Sequence, residues 1–438
     1  MFTKNTAITF TTGVLNLVLG IATSVILARV LGPEGRGIYA LAILLPSLIV
    51  TFGNLGIGPA TAYYVARKEF RREEIFGNNI LLSIAISIVG TLVGLILVIF
   101  FHDTVFPGVA PRYLLMALLL VPLQIFSTYT QYILLGAQQI KEFNYVQIAY
   151  TALFLGLVVL LLLIFRRGVN GAIFSNILAS LATCVLIFLI AKQISEGIDL
   201  RPNRTYIKGA VTYGIQAHIS NILGFLNYRV DLFLVNLFQG PTAVGLYTVA
   251  VGLAERLWMV SQSASTVLFP RVAAESEEER RKEFTPLVAR TVLCTTAIGG
   301  LVLVFLSRWI VLLLYSEAFL PAVGVLRALL VGIITLSAGR VLSNDIAGRG
   351  FPRLNIYTGI AAVVTNIVLN LLWIPRYGIV GAAWASTVSY TVSFLMALFF
   401  YCRLSGNHWT KVVLPQRGDW AIYRQAIATI ILRGRQKR

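Results

Sequence analysis

The segment Gly32-Pro-Glu-Gly-Arg-Gly-Ile-Tyr-Ala-Leu-Ala42 decides how this 438-residue chain is organised, because it occurs twice. The second copy, Gly240-Pro-Thr-Ala-Val-Gly-Leu-Tyr-Thr-Val-Ala250, keeps five of the eleven residues at a separation of 208 positions. Each copy lies between two long apolar runs. We therefore predict that each copy forms the tight turn between the first two membrane helices of a repeated half.

Two further pairs of segments extend the repeat beyond this motif. Gly136 and Tyr145 are matched by Gly348 and Tyr357, at a separation of 212 residues. A third match, at a separation of 210, pairs Arg166, Gly168, Gly171 and Ala172 with Arg376, Gly378, Gly381 and Ala382. Three matches in the same order and at nearly constant separation indicate that the whole chain is a tandem duplication.

The composition is that of a membrane protein. Apolar residues make up 57% of the chain and charged residues 12%, whereas a soluble domain is roughly 25% charged. A spanning helix needs about 20 mostly apolar residues, and the sequence contains twelve such runs. The predicted spans are 8–31, 38–65, 78–101, 113–135, 144–165, 170–191, 210–237, 243–268, 287–315, 322–347, 355–375 and 379–402.

These spans predict an all-α membrane protein of about 12 transmembrane helices in two six-helix lobes. Six spans per half is an even number, so the second half enters the membrane in the same orientation as the first, as a parallel repeat. The predicted N-lobe is 1–191 and the predicted C-lobe 210–403, joined by a cytoplasmic linker, 192–209. Residues 404–438 form a basic cytoplasmic tail, which is either a helix on the inner leaflet or a disordered segment.

The distribution of positive charge predicts the orientation in the membrane. The net charge is +18, and 25 Lys and Arg residues fall on one side of the predicted spans against five on the other. Loops rich in Lys and Arg stay in the cytoplasm, so we expect both termini there, in a multi-pass protein of the cytoplasmic (inner) membrane. This distribution accounts for the net charge without a nucleic-acid partner.

Sequence motifs for catalysis and for cofactors are absent. The chain has no G-x-x-x-x-G-K-[ST] segment for ATP, and its three cysteines and three histidines lack metal-ligand spacing. The predicted extracytoplasmic loops are too short for an external catalytic domain. We therefore expect a protein that is not an enzyme and that holds neither a metal nor an organic cofactor.

Ionisable residues inside the spans are the candidate site residues, because charge is costly in lipid and marks substrate or ion paths. Arg29, Arg229, Arg256 and Arg340 are the predicted substrate-binding residues. A guanidinium binds phosphate oxygens in a bidentate manner and stays charged at any working pH, so this set favours an anionic, phosphate-linked substrate. Two alternatives stay open: Arg29 lies near enough to an interface to snorkel, and buried acidic partners would neutralise the other arginines.

A second group of residues suggests ion coupling. Asn366 and Asn370 lie four residues apart on one helix face, Ser386 and Thr387 follow in the next span, and Asp231 is a carboxylate within span seven. A carboxylate with several neutral oxygens suits Na⁺, and a carboxylate alone suits H⁺. The alternative is that the Asn, Ser and Thr side chains only join helices by hydrogen bonds.

Several segments together resemble a known family. They are Ala28-Arg-Val-Leu-Gly-Pro-Glu-Gly-Arg-Gly-Ile-Tyr39, Gly53-Asn-Leu-Gly-Ile-Gly58, Arg229-Val-Asp-Leu-Phe233 with Val244-Gly-Leu-Tyr247, and Tyr315-Ser-Glu-Ala-Phe-Leu-Pro-Ala322. The chain thereby resembles the Wzx-type oligosaccharide flippases of the multidrug/oligosaccharidyl-lipid/polysaccharide (MOP) exporter superfamily. The resemblance implies a V-shaped pair of lobes like that of multidrug (MATE) exporters, and alternating access between them.

The resemblance also implies a substrate and partners. Family members move an undecaprenyl-pyrophosphate-linked oligosaccharide between leaflets for surface polysaccharide synthesis, in contact with membrane lipids and with polysaccharide assembly proteins. The cavity arginines of the family are taken to meet the pyrophosphate, a role that falls here to Arg29, Arg229, Arg256 and Arg340. Two alternatives are a multidrug/cation antiporter of the same superfamily and a membrane polysaccharide polymerase or ligase.

Overall fold

A computed structural model describes residues 2–259 and 278–416, together with residues 261, 262, 264, 268, 272 and 419. Within these residues every regular element is helical. Lipid offers no partner to unpaired backbone groups, so a helix, which satisfies them internally, is the expected form of each span. The prediction of an all-α fold is confirmed.

The helices follow one another with short connections. A π-helical turn, Val159–Ile164, continues α6, a 3₁₀ turn, Glu255–Leu257, continues α8, and a second 3₁₀ turn, Glu317–Phe319, precedes α10. The helices are α1 (Phe2–Gly53), α2 (Ile57–Arg67), α3 (Arg72–Val105), α4 (Pro111–Leu118), α5 (Leu120–Gly136), α6 (Ile140–Val158), α7 (Gly168–Ile194), α8 (Arg204–Ala254), α9 (Glu278–Leu314), α10 (Ala322–Gly348), α11 (Pro352–Ser405) and α12 (Trp409–Val413).

Three of these helices, α1, α8 and α11, are each long enough for two membrane crossings. The longest, α11, has 54 residues, and at ~1.5 Å per residue it would extend ~80 Å, against ~30 Å for a bilayer core. Each of the three contains a backbone break at a glycine: Gly32, Gly240 or Gly378. The described residues contain nine helices of membrane-spanning length and apolarity, and with three of them counted twice they account for about 12 spans, as predicted.

The break in α1 and the break in α8 have the same backbone geometry. Gly32 has φ 66° and ψ −179°, and Gly240 has φ 76° and ψ −179°. This region of backbone conformation is open essentially to glycine alone. The sequence repeat is therefore repeated in structure, and the predicted tight turn in each copy of the motif is confirmed.

The two copies of the motif also pack directly against each other. A Cβ atom added to Gly37 would lie 1.8 Å from the carbonyl oxygen of Pro241, and one added to Gly245 would lie 1.8 Å from that of Pro33. The contact is therefore backbone on backbone and nearly symmetric. Glycine at these two positions allows an approach that no side chain would permit.

Predicted span two departs from a single helix. The sequence pattern predicts one helix over 38–65, but α1 ends at Gly53 and α2 begins at Ile57, with a positive φ of 69° at Gly56. A Cβ atom on Gly56 would lie 2.1 Å from the carbonyl oxygen of Gly214. The chain is thus broken where its backbone meets that of α8.

Side chains satisfy the backbone groups released by this break. The hydroxyl of Tyr129 donates to the carbonyl oxygen of Asn54 at 2.9 Å. The Nε2 atom of His218 lies 3.1 Å from the carbonyl oxygen of Phe52, and His218 is only 4% exposed. A non-helical segment at membrane depth needs such partners, so His218 has a structural role as a packing residue.

The chain divides into two compact units. The first comprises Met1–Gly252, Arg308–Val325 and Leu369–Ala382, and the second comprises Leu253–Ser307, Leu326–Val368 and Ala383–Arg438. The first unit contains two buried apolar clusters, one around Phe76 and Tyr206 and one around Leu27 and Tyr39. The second unit is built on a cluster around Val341 and Tyr401. The predicted boundaries of the two lobes stay a prediction.

Large apolar side chains cover the outside of the helices. On α3, Ile88, Val89 and Phe100 are 56%, 62% and 72% exposed, and on α9 Trp309 is 70% exposed. Apolar surface on this scale needs an apolar environment. Together with the nine long apolar helices, it establishes a multi-pass membrane protein.

The predicted tail, 404–438, is described only in its first part and at Asp419. The guanidinium of Arg290 donates to both carboxylate oxygens of Asp419, at 2.8 and 2.6 Å. Burial acts to raise the pKa of this carboxyl, but the hydrogen bonds from Arg290 and from the Gln416 backbone hold the pKa below its usual value. The predicted interfacial helix from Trp420 onward lies outside the described residues.

Candidate functional site

Arg29, the first predicted substrate-binding residue, is bound to the end of another helix. Its Nε atom donates to the carbonyl oxygen of Leu314 at 2.8 Å, and its Nη2 atom donates to that of Leu313. The last carbonyls of a helix have no partner within the helix and carry partial negative charge. Arg29 therefore stabilises the end of α9, within the first compact unit.

Arg229 and Asp231 lie on α8 in the same unit. Arg229 is half-buried, and its Nη1 atom donates to the carbonyl oxygen of Tyr228 at 3.2 Å. Asp231 is only 2% exposed, and its Oδ2 atom accepts a hydrogen bond from the hydroxyl of Tyr247 at 2.6 Å. Tyr247 is fully buried and belongs to the second copy of the motif. The repeat motif thus contributes a direct partner to the carboxylate beside it.

Arg256 and Arg340 belong to the second compact unit. Arg256 is exposed in the 3₁₀ turn that follows α8. The guanidinium carbon of Arg340 lies 4.0 Å from the centroid of the Trp258 ring, and Trp258 is 7% exposed. A guanidinium over an indole face is a cation–π pair, so Arg340 is held by an aromatic partner that the sequence pattern did not indicate.

The predicted ion-coupling residues other than Asp231 lie on α11. Asn366, Asn370 and Thr387 are buried. The Nδ2 atom of Asn366 is 3.4 Å from the Oγ atom of Ser386, and the hydroxyl of Thr387 donates to the carbonyl oxygen of Ala328 at 2.7 Å. The first contact joins the two arms of α11 on either side of the break at Gly378, and the second joins α11 to α10, which is the alternative role. The cation site stays a prediction.

The four predicted arginines are shared between the two units. Arg29 and Arg229 belong to the first, and Arg256 and Arg340 belong to the second. Each has a defined local environment: a helix end for Arg29, the carbonyl oxygen of Tyr228 for Arg229, a helical turn for Arg256 and an indole face for Arg340. Their assembly into one substrate site stays a prediction.

A cavity that the sequence reasoning missed lies inside the first compact unit. Its volume is about 490 Å³, and fourteen residues from α1, α5, α6 and α7 line it. Ligand sites generally fall between about 300 and 1,000 Å³, so this cavity is large enough for a small molecule. Its lining is uncharged, since it contains no Asp, Glu, Lys, Arg or His, and it combines polar side chains with apolar surface.

The lining on α5 is a stripe of uncharged polar residues. Its four members are spaced i, i+3, i+4 and i+7, which places them on one face of the helix. The pattern is visible in the sequence of an otherwise apolar span. The sequence prediction did not include it, because that prediction rested on ionisable residues and these four are uncharged. The stripe consists of Gln124, Ser127, Thr128 and Gln131.

Shorter stripes on α6 and α7 repeat this pattern. Each has polar or sulfur-containing residues at i, i+3 and i+4, and all of them line the same cavity. Three helices, α5, α6 and α7, therefore each direct a polar face towards this cavity. The residues are Gln147, Tyr150 and Thr151 on α6 and Ser180, Thr183 and Cys184 on α7.

With the fold and these surroundings established, the chain can be compared with known proteins. Residues 2–274, more than half of the chain, match the polysaccharide biosynthesis protein family. The chain belongs to this family. The putative O-antigen transporter of Shigella flexneri is 21% identical to this chain over 396 residues, which cover 86% of the chain and 92% of that protein. The probable low-salt glycan biosynthesis flippase Agl15 of Haloferax volcanii is 25% identical over 198 residues, 44% of the chain and 42% of that protein.

Solved structures place this family member in a superfamily fold. An inward-facing multidrug resistance transporter of the MATE family, from the MOP superfamily, gives a TM-score of 0.74 at 15% identity, covering 89% of the chain and 94% of that protein. The lipid II flippase MurJ in an inward closed conformation gives a TM-score of 0.74 at 16% identity, covering 89% and 86%. The protein therefore has the MOP transporter fold, as the sequence resemblance predicted.

Proposed function

We propose that this protein is a flippase that translocates a lipid-linked oligosaccharide across the cytoplasmic membrane for surface polysaccharide synthesis. The observation that carries the proposal is the match of residues 2–274 to the polysaccharide biosynthesis protein family. The MOP fold supports it, since relatives with this fold include a protein named as a lipid II flippase. Relatives in sequence are named as a glycan flippase and an O-antigen transporter.

The proposed substrate carries undecaprenyl pyrophosphate as its lipid part. Its polyprenyl chain stays in the bilayer, and its diphosphate pairs with Arg29, Arg229, Arg256 and Arg340 during alternating access. Charge inside a membrane protein is costly and is kept where it serves a substrate or ion. Fixed guanidinium groups suit a diphosphate, whose oxygens accept paired hydrogen bonds.

The proposed orientation has both termini in the cytoplasm of the cell, in the inner membrane. The excess of Lys and Arg on one side of the spans supports this orientation. The flippase would then collect its substrate at the leaflet where polyprenyl-linked sugars are assembled. Polysaccharide assembly proteins are the proposed partners on the opposite side.

The proposed source of direction is a gradient of H⁺ or Na⁺ that acts on Asp231. A carboxylate that is 2% exposed and bound by Tyr247 changes its environment strongly when it binds a proton or a cation. The variant Asp231→Asn should abolish the dependence of transport on the gradient. Transport in vesicles with each gradient imposed alone identifies the ion, and an unchanged dependence in Asp231→Asn would refute this assignment.

The experiment that tests the arginine assignment measures surface polysaccharide in cells that lack their own copy of the gene. Arg229→Ala, Arg256→Ala and Arg340→Ala should each abolish surface polysaccharide, while the amount of protein in the membrane, measured by immunoblot, stays unchanged. Arg112→Ala is the matched control, because Arg112 is exposed and its guanidinium binds the ring and hydroxyl of the neighbouring Tyr113. Wild-type polysaccharide in all three variants would contradict the role of the arginines.

The nearest alternative is a multidrug/cation antiporter, since one structural relative is a multidrug transporter. The alternative predicts drug resistance on expression of this protein and no effect on polysaccharide. A drug-resistance assay in the same cells separates the two functions. The excess of arginine over carboxylate in the spans favours the anionic substrate.

A further inference from the structure

We propose that the uncharged cavity in the first compact unit is a binding site for a neutral polyhydroxylated ligand, the sugar portion of the transported glycan. The proposal rests on the proposed function for the identity of its ligand. It assigns the recognition of sugar to a place distinct from all four predicted arginines, none of which lines the cavity.

The chemistry of the lining argues against two classes of ligand. A diphosphate or an organic cation needs an opposite charge when it leaves water, because an unpaired ion pays a large desolvation penalty. A lipid chain would fit the apolar part of the lining but would leave the amides and hydroxyls without partners. Neutral polar groups around a cavity of about 490 Å³ therefore favour a neutral polar ligand over both.

The hydrogen-bonding groups of the lining match those of a sugar. A sugar hydroxyl both donates and accepts, and a side-chain amide does the same with its two N–H donors and its carbonyl oxygen. In the part of the chain that the structure describes, the side-chain amides of Gln124 and Gln147 make no hydrogen bond. They belong to facing helices, α5 and α6, so a ligand between them would meet donors and acceptors from both sides.

Asn16 provides an independent indication that something is bound here. Its Oδ1 atom is buried and has no hydrogen-bond partner among the described residues, and Asn16 lines the cavity. A buried acceptor without a partner costs roughly 1–3 kcal/mol. A hydroxyl group in the cavity would provide the missing donor.

The threonine hydroxyls of the lining are set as acceptors. Thr128, Thr151 and Thr183 each donate to the carbonyl oxygen four residues earlier on their own helix, at 2.7, 3.0 and 2.7 Å. Each hydroxyl hydrogen is therefore used, and the lone pairs of each oxygen are available to accept. Acceptors on three helices complement the several O–H donors of one sugar ring.

Tyr150 gives the cavity a fixed apolar surface. Its hydroxyl donates to the Oδ1 atom of Asn176 at 3.1 Å, and its ring stacks on Phe154 with 6.0 Å between centroids. A ring held at both its polar and its apolar end presents one orientation to a ligand. With Leu123 and Val146, also in the lining, it would contact the C–H faces of a sugar while the amides bind the hydroxyls.

The test measures binding of three probes prepared from one membrane extract of the producing cells. The first is the intact lipid-linked oligosaccharide. Mild acid, which cleaves the bond between sugar and phosphate, gives the other two: the free glycan and the lipid phosphate. Calorimetric titration of the purified full-length protein should show that all three bind, with the two fragments weaker than the intact molecule.

The variants then separate the sugar site from the phosphate site. Gln124→Leu/Gln147→Leu should weaken binding of the free glycan at least tenfold, equivalent to about 1.4 kcal/mol, and leave binding of the lipid phosphate unchanged. Unchanged binding of the lipid phosphate also shows that the variant is folded. Equal glycan binding by the variant and the wild type would overturn the proposal.

A matched pair on α5 keeps the test decisive if the double variant does not fold. Thr128 and Thr130 both donate to the carbonyl four residues earlier, at 2.7 and 2.8 Å, but only Thr128 lines the cavity. Thr128→Val should weaken glycan binding severalfold, whereas Thr130→Val should leave it unchanged. Equal effects of the two substitutions would contradict a binding role.

The wild-type results distinguish failure of this proposal from failure of the proposed function. If the intact molecule binds and the free glycan does not, the cavity holds only water and the sugar site is refuted, while the flippase stands. If the intact molecule does not bind, the proposed function is refuted together with the site that rests on it.

Discussion

Equivalent sequence positions in the two repeated halves carry side chains of different chemical character. Val50 corresponds to Trp258 at the separation of 208 residues, and Thr128 and Arg340 each stand eight residues before the matching glycines Gly136 and Gly348. In the first half, Val50 and Thr128 line an open, uncharged cavity. In the second half, the guanidinium of Arg340 lies against the ring of Trp258, 4.0 Å from its centroid.

The contrast shows what the duplication kept and what it changed. The backbone turns at Gly32 and Gly240 are nearly identical, so the helical framework is shared. The residues that line the cavity are uncharged, whereas Arg340 carries a positive charge. A neutral polar interior suits a sugar, and a guanidinium suits a phosphate, so the two places suit different parts of the proposed substrate.

The largest effect on export is expected when Val50 of the first half is replaced by tryptophan, the residue at the equivalent position of the second half. Val50→Trp should place an indole in the cavity and should reduce export of surface polysaccharide at least tenfold. Quantification of surface polysaccharide against the amount of protein in the membrane provides the measurement. Val50→Ile, which adds a single methylene, is the control and should keep most of the activity.

Wild-type export by Val50→Trp in a protein that remains folded would contradict the cavity's role in transport. It would leave the contrast between the halves as a difference in packing alone. If the indole of the variant lies outside the cavity, we expect no tenfold loss of export. Export and cavity volume are therefore expected to decrease together.

The reverse exchange tests the second half and is expected to act mainly on stability. Trp258→Val removes a buried indole and the ring against which Arg340 stacks, and should lower the free energy of unfolding by about 3 kcal/mol. The thermal midpoint in detergent is the measurement. Trp309→Val is the matched control, because Trp309 is 70% exposed and its loss should shift the midpoint little.

An equal shift for the two tryptophans would show that Trp258, with its contact to Arg340, contributes no more to stability than an exposed indole. The difference between the two shifts therefore measures the combined effect of the burial of Trp258 and of its contact with Arg340. The first half, which has valine at this place, has no equivalent indole.

The framework was predictable from the sequence because its determinants are local. The apolar runs have the length of a bilayer, and glycine at 32 and 240 is required by a backbone conformation that other residues do not adopt. The break between Gly53 and Ile57 was not predictable, because it arises where Gly56 meets Gly214. That contact joins residues far apart in the sequence and leaves no local pattern.

The site was predictable only in part, and for a physical reason. Arg340 and Asp231 are conspicuous in apolar spans, but their partners Trp258 and Tyr247 are ordinary residues there. The stripe that contains Gln124 and Thr128 has a helical period in the sequence. Its meaning depends on whether such a face meets another helix or an open space, and that is a property of packing.

A smaller effect is expected where the two halves are alike. Gly37→Ala and Gly245→Ala each introduce a Cβ atom 1.8 Å from a backbone oxygen of the other copy, so each should lower the thermal midpoint by a similar amount. Because either substitution separates the same two turns, the double variant should cost less than the sum of the two. Gly13→Ala, where no atom lies within 4 Å, is the control and should have little effect.

Reconstitution into liposomes shows whether the protein moves a lipid-linked glycan between leaflets. Purified protein is placed in liposomes with the lipid-linked oligosaccharide of the producing cells, and an added lectin or glycosidase reports the fraction in the outer leaflet over time. We expect rapid equilibration of the lipid-linked oligosaccharide between leaflets with wild-type protein. With Arg340→Ala, the rate should be near that of empty liposomes. Equal rates for wild-type protein and empty liposomes, with an ion gradient of either H⁺ or Na⁺ imposed, would contradict the proposed function.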